Sequence, residues 1–247
     1  MKKRNYGFTL AEVMIALGIV SVVAALTLPG LFLGLRKNVI SVSLSRAIEQ
    51  IEYSAQNIFH ALNDYNEEHD IFSNTDILYP IVMKEIITTP VANEDAYIFT
   101  ADTFDETIRA YFGCTKIAEN GKTYADKFKD FDGGDVGGDY SAEVKGYLDA
   151  SKVYRFAKNN IDMYAVNIEP ANVNSQDSDI LFICIDTNGY SEKPNRFGKD
   201  LFAFKLRNDG RVIPYGDPDN CVKGNVKDGI SCSARIIMDS FKVEYDN

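Results

Sequence analysis

Glu12 is the only charged residue between Phe8 and Leu35, in the stretch "FTLAEVMIALGIVSVVAALTLPGLFLGL". A carboxylate at the centre of a bilayer costs about 2.5–3.5 kcal/mol on insertion scales. Glu12 lies near one end of the run, where the cost is smaller, but its presence still needs a reason. Thiols offer a second chemistry. Cys114, Cys184, Cys221 and Cys232 all follow the apolar run, and four cysteines in an oxidising compartment allow two disulfides in three pairings. The ten residues between Cys221 and Cys232 make a plausible closed loop, which leaves Cys114 with Cys184. Buried free thiols in a reducing compartment are the alternative. No CxxC spacing occurs and both histidines, His60 and His69, are far from every cysteine, which argues against zinc. Neither histidine has an acid and a nucleophile in a recognised arrangement, and no GxGxxG, P-loop, HExxH or GxSxG is present. The chain reads as something other than an enzyme.

Around these residues the sequence sets out its elements in order. Lys2, Lys3 and Arg4 form a basic cluster ahead of an apolar run long enough to cross hydrocarbon as a helix, which takes roughly 20 residues; Arg36 and Lys37 close it. From Ile40 the pattern turns periodic: Ile40, Leu44, Ala47, Ile48, Ile51, Ala55, Ile58, Phe59, Leu62 and Tyr65 recur at steps of three and four. That is an amphipathic continuation of the same helix. The head, from about residue 66, carries strand signals in "MYAVNI", "DILFICID", "DLFAFKL" and "RVIPYG", joined by turn dipeptides such as Asn188-Gly189 and Asp209-Gly210. "TDILYPIVMKEIITTP" reads as a short helix or turn region and "NEDAYIFTADTFDETIRAYFG" holds a short helix around Thr103 to Tyr111, while "DFDGGDVGGDYSA" reads as a glycine-rich acidic loop. The formal charge of −10 excludes a phosphate-tracking nucleic-acid surface over the body of the chain.

Three readings fit the first 35 residues. A cleaved secretory signal would use "SVVAA" as its exit, and a plain signal anchor would stay in place. Both leave Glu12 unexplained. The third rests on "GFTLAEVMIALGIV", which resembles the class III leader of type IV pilins and of the pseudopilins of type II secretion. That leader is short and basic and ends in glycine; phenylalanine and Thr-Leu-x-Glu follow, at the head of a long apolar helix. The resemblance covers about Lys2 to Leu35. It implies cleavage after Gly7 by a prepilin peptidase/methyltransferase, N-methylation of Phe8, an assembly role for Glu12 and a helix kink at Pro29. In an assembly, the carboxylate of Glu12 would meet the new amine of a neighbouring Phe8, so that two charges costly in hydrocarbon become a pair.

The same resemblance implies an α+β fold, with a long N-terminal α-helix packed on a C-terminal antiparallel β-sheet head. The organisation expected is a leader over 1–7, a transmembrane and polymerisation helix over 8–35, an amphipathic helix half over 36–65 and an extracytoplasmic head over 66–247. "CIDTNGYSEKPNRFGKDLFAFKLRNDGRVIPYG" is similar to a strand-and-loop signature in pilin-like heads. Some pseudopilins bind calcium in a head loop, and Asp186, Asn188, Asn195 and Asp200 supply the oxygen ligands calcium prefers. The same residues are also those that tight turns require. "DFDGGDVGGD" departs from an EF-hand loop, with glycine at the third acid and no closing glutamate.

The expectation is therefore a single-pass protein of the cytoplasmic membrane, N-terminus inside and head outside, that assembles with other pilin or pseudopilin subunits. It needs no cofactor unless the head takes calcium. A membrane-anchored extracytoplasmic binding module is the alternative.

Overall fold

The computed structural model describes residues 8–69, 104–136, 139–157, 160–168, 175–226 and 229–245. Gly7 and the stretch 75–90 lie outside the described residues. The chain separates into two compact units, with the division between Val39 and Ile40. One helix, α1 (Leu10–His69), contributes to both.

In the first unit α1 carries no charged side chain from Val13 to Leu35. Leu10, Met14, Ile15, Leu17, Val20, Leu26, Phe32 and Leu33 are all exposed. The hydroxyls within this stretch turn inward on their own helix: Ser21 Oγ donates to the Leu17 carbonyl at 2.7 Å and Thr27 Oγ1 to the Val23 carbonyl at 2.9 Å. Such internal satisfaction suits a segment surrounded by hydrocarbon. The helix continues through Pro29, which has no N–H to donate to the carbonyl one turn earlier.

The second unit is an α+β head. Its six-stranded sheet runs in sequence order and is antiparallel throughout: β1 (Cys114–Ala118), β2 (Lys152–Phe156), β3 (Asp162–Asn167), β4 (Asp179–Asp186), β5 (Leu201–Arg207) and β6 (Val212–Pro214). The helices α2 (Phe104–Phe112), α3 (Lys122–Ala125), α4 (Asp139–Ala150) and α5 (Cys232–Met238) surround it, and a small hairpin pairs β7 (Cys221–Val222) with β8 (Asn225–Val226). The long helix, the antiparallel sheet and the four strands read from sequence are as expected. Strands β1 and β2 add to them, and the acidic loop ends sooner than its composition suggested, because α4 begins at Asp139.

Each face of the sheet is covered. On one, Ile40, Leu44, Ala47, Ile48, Ile51, Ala55 and Ile58 of α1 join Met163, Ala165, Leu181, Ile183, Ile185, Phe202, Phe204 and Leu206 in a single core. On the other, Val144 and Leu148 of α4 pack with Phe128, Tyr164, Phe182, Cys184, Phe197 and Ala203. Burial on both faces explains why β4 reads "DILFICID", an almost unbroken apolar run, and not as the alternation of a half-exposed antiparallel strand. Polar contacts fix α1 in register. Gln50 Nε2 donates to the Phe112 carbonyl at 2.7 Å and Ser54 Oγ to the Tyr111 carbonyl at 2.7 Å, satisfying two carbonyls at the end of α2. Glu52 accepts from the backbone N–H of Val212 at 3.1 Å.

The cysteines resolve into one disulfide, Cys221–Cys232, with Cα atoms 5.1 Å apart, which ties α5 to the β7–β8 hairpin. The expected second bridge is not formed: Cys114 and Cys184 are buried free thiols. Cys114 sits on β1 and Cys184 on β4, with β2 and β3 between them. Three strand spacings of about 4.8 Å exceed the span a disulfide bridges, about 7 Å between Cα atoms. The two thiols also face opposite cores.

Candidate functional site

Two places carry the residues singled out from the sequence. The first is the start of α1, where Thr9 and Glu12 interlock. Glu12 Oε2 accepts from the backbone N–H of Thr9 at 2.8 Å and from Thr9 Oγ1 at 2.9 Å, and Thr9 Oγ1 accepts from the Glu12 N–H at 3.3 Å. This is a capping box, in which a threonine and the glutamate three residues later satisfy each other's orphan N–H groups. The signature Thr-x-x-Glu ahead of an apolar run was there to be read in "TLAE". It gives Glu12 a role within its own chain that the membrane argument missed. Phe8, next to the box, is exposed.

The second place is the β4–β5 connection, residues 187–200, where the four oxygen-bearing residues come together. Asp186 ends β4 and its Oδ1 accepts from the Asn188 N–H at 3.2 Å. Asp200 Oδ2 accepts from the Asn195 N–H at 2.9 Å and from Asn188 Nδ2 at 3.3 Å, while its Oδ1 accepts from the Arg196 N–H at 2.7 Å. Asn195 Nδ2 donates to the Tyr190 carbonyl at 3.1 Å. Asn195 has a φ of 54° and Gly189 one of 78°, left-handed conformations that asparagine and glycine tolerate best. The turn chemistry read from sequence is therefore present. It accounts for the amide nitrogens and for Asp200, and leaves three oxygens over: Asp186 Oδ2, Asn188 Oδ1 and Asn195 Oδ1 are buried without a hydrogen-bond partner.

Asp186 is fully buried, and that burial, reinforced by the carboxylates of Asp200 and Asp162, pushes its carboxyl well above the usual carboxylate range. Only two of the four side chains are carboxylates. Among the described residues no group of three or more His, Cys, Asp or Glu side chains is arranged to hold a metal.

The glycine-rich acidic loop behaves differently. Asp130 Oδ1 accepts from the N–H groups of Gly133 and Gly134 at 2.8 and 2.6 Å, and Lys129 Nζ donates to Asp135 at 2.6 Å, so the loop is closed by its own contacts. His60 lies on the exposed side of α1.

Among the described residues, α1 is the one helix long and apolar enough to cross a membrane, which fits a membrane-anchored, single-pass protein. No curated protein and no solved structure shows a match to the chain. Residues 2–28 match the prokaryotic N-terminal methylation motif, the signature of type IV pilins and pseudopilins.

Proposed function

We propose that this chain is a prepilin-type structural subunit, cut after Gly7, N-methylated at Phe8, and assembled through its N-terminal helix into a type IV pilus or a type II secretion pseudopilus. The observation that carries the reading is the methylation motif over residues 2–28 at the head of a helix whose large apolar side chains from Leu10 to Leu35 are exposed among the described residues. An unpartnered apolar surface of that extent calls for lipid or for neighbouring helices. In this reading residues 1–7 are the leader, 8–35 span the membrane and later line the filament, 36–65 fasten the anchor to the head, and 66–247 form that head outside the cytoplasmic membrane. Its partners are the prepilin peptidase/methyltransferase and other subunits. Its work is structural, not catalytic.

Cleavage exposes an amine on Phe8 while Glu12 keeps its charge beside the helix start. In the single chain Thr9 occupies that carboxylate; in the filament the amine of a neighbouring Phe8 takes a share of it. The two roles separate by substitution. Glu12→Gln retains a side chain able to close the capping box but loses the charge, whereas Glu12→Ala loses both. Both variants are expected to be inserted and cleaved, with N-terminal sequencing starting at methylated Phe8, and both are expected to enter filaments poorly. Full incorporation of Glu12→Gln would reduce the role of Glu12 to capping. Normal maturation of Gly7→Phe would overturn the peptidase reading.

A further inference from the structure

We infer that the cavity enclosed by the end of α3, the glycine-rich acidic loop and α4 is a binding site for a free apolar α-amino acid of about leucine's size. The cavity measures about 230 Å³. Phe128 and Leu148 are buried and, with the half-buried Val136, give it an apolar wall. Its polar lining residues, Asp126, Asp135 and Lys145, are exposed and so stand at the mouth. Lys145 and Leu148 lie three residues apart on α4, on one helix face, which sets a cation beside the apolar wall. The space falls short of the roughly 300–1,000 Å³ of pockets for drug-sized ligands. It suits a compact ligand with one apolar end.

The charges at the mouth say what the other end must be. Lys145 Nζ lies 3.6 Å from Asp126 Oδ1, and Lys129 Nζ lies 2.6 Å from Asp135 Oδ1. The first contact is longer than the roughly 2.7–2.9 Å of a charge-assisted hydrogen bond. Its two side chains are 51% and 60% exposed, so the pair is loose and parts at little cost. A ligand carboxylate then meets Lys145, and an ammonium on the neighbouring carbon meets Asp126 and Asp135. The side chain between them covers Phe128, Val136 and Leu148. A carboxylate alone would face two acids at the same mouth, and an amine alone would face Lys145 with nothing to offer it. Both charges on one small apolar molecule satisfy the whole lining, and that is the chemistry of an α-amino acid. For so small a ligand at an exposed mouth, the Kd expected is roughly 10⁻⁴–10⁻³ M.

The inference concerns the head alone and stands whether or not the N-terminal helix is cleaved or polymerises. The test uses the full chain in detergent and radiolabelled L-leucine in equilibrium dialysis. The wild type is expected to take up one leucine per chain, saturating with a Kd of roughly 10⁻⁴–10⁻³ M. Isocaproate, which is leucine without its amine, and isoamylamine, which is leucine without its carboxylate, are each expected to compete at least about tenfold more weakly. Lys145→Gln removes the cation at an exposed position and is expected to weaken leucine about tenfold or more. Val136→Phe fills the cavity and is expected to abolish binding, whereas Lys223→Gln, at an exposed lysine outside the lining, keeps it. Circular dichroism establishes that each variant is folded; if Val136→Phe fails to fold, Lys145→Gln decides. No saturable leucine binding below about 10 mM, equal competition by isocaproate or isoamylamine, or undiminished binding by folded Lys145→Gln would overturn the site.

Discussion

Arg155 and Asp162 stand directly opposite each other in the β2–β3 register and form a two-pronged ion pair, Nε to Oδ1 at 2.7 Å and Nη2 to Oδ2 at 2.9 Å. Asp162 is fully buried and also accepts from the backbone N–H of Tyr190 at 3.1 Å. On its other side the register partner is Asp186. Two adjacent strands thus present neighbouring carboxylates, of which one has a guanidinium and the other does not.

Removing that guanidinium strands a buried charge beside a second acid. Arg155→Ala is expected to destabilise the head by about 2–3 kcal/mol. Arg155→Lys recovers only part of this, because an ammonium cannot reproduce the fork. Urea unfolding of the two variants against the wild type measures both effects, and a shift below about 0.5 kcal/mol for the alanine variant would show the pair to be dispensable.

The α1 seam has its own test. Leu44 and Ile51 are fully buried against the sheet. Leu44→Ala and Ile51→Ala are each expected to cost about 2–5 kcal/mol, whereas Tyr53→Ala, on the exposed side of the same helix, changes stability by about 0.5 kcal/mol or less. Denaturation midpoints with an unchanged m-value would confirm that packing alone has changed.

Acid should act through Asp105. Burial would raise its pKa, but hydrogen bonds from Lys116 at 2.7 Å, Tyr154 at 2.7 Å and Lys152 at 3.0 Å outweigh that and hold it at about 2. Because the folded value lies below the unfolded one, this stabilisation is complete above about pH 4 and is lost as pH falls toward 2. Asp105→Asn is expected to be less stable at neutral pH and to show a shallower loss of stability between pH 4 and 2 in urea titrations. An unchanged acid limb would remove Asp105 from the account.

The thiols predict an alkaline counterpart. Burial pushes Cys114 up to about 12 and Cys184 well above its ordinary value. Their neutral forms favour the fold up to the unfolded pKa near 9, and above it the unfolded chain gains by ionising. Native protein at pH 8 should therefore resist iodoacetamide and gain two labels only on unfolding, counted by mass spectrometry. Cys232→Ala, which opens the one disulfide, should lower stability by about 2–4 kcal/mol.

Some of this was legible in the residues and some was not, for physical reasons. The N-terminal pattern and the α1 seam stood out because charge, spacing and period act locally. Strands β3 to β6 announced themselves through apolar runs and turn dipeptides. In β2, "KVYRF" sends Val153 to one core and Tyr154 and Phe156 to the other, with two cations between, so neither alternation nor an apolar run survives. Edge strand β1 buries Cys114 and leaves Thr115 and Ile117 exposed, too weak a pattern to stand alone. The cysteine pairing was half legible: the short loop could be read in the chain, but the distance from β1 to β4 belongs to the sheet. In the loop from Asp186 to Asp200 residue types suggested both turn and ligand. Only the folded loop shows which of its oxygens the turn uses and which three it leaves without donors.

The buried seam from Ile40 to Ile58 also has a mechanical meaning. Because those side chains belong both to α1 and to the core of the head, parting this stretch of helix from the sheet would open the whole buried seam and not a single contact. A tether of this kind cannot come loose without opening the head. For the same reason, a soluble head freed of its anchor must keep the chain from Ile40 onward, since cutting later would leave one face of the sheet bare.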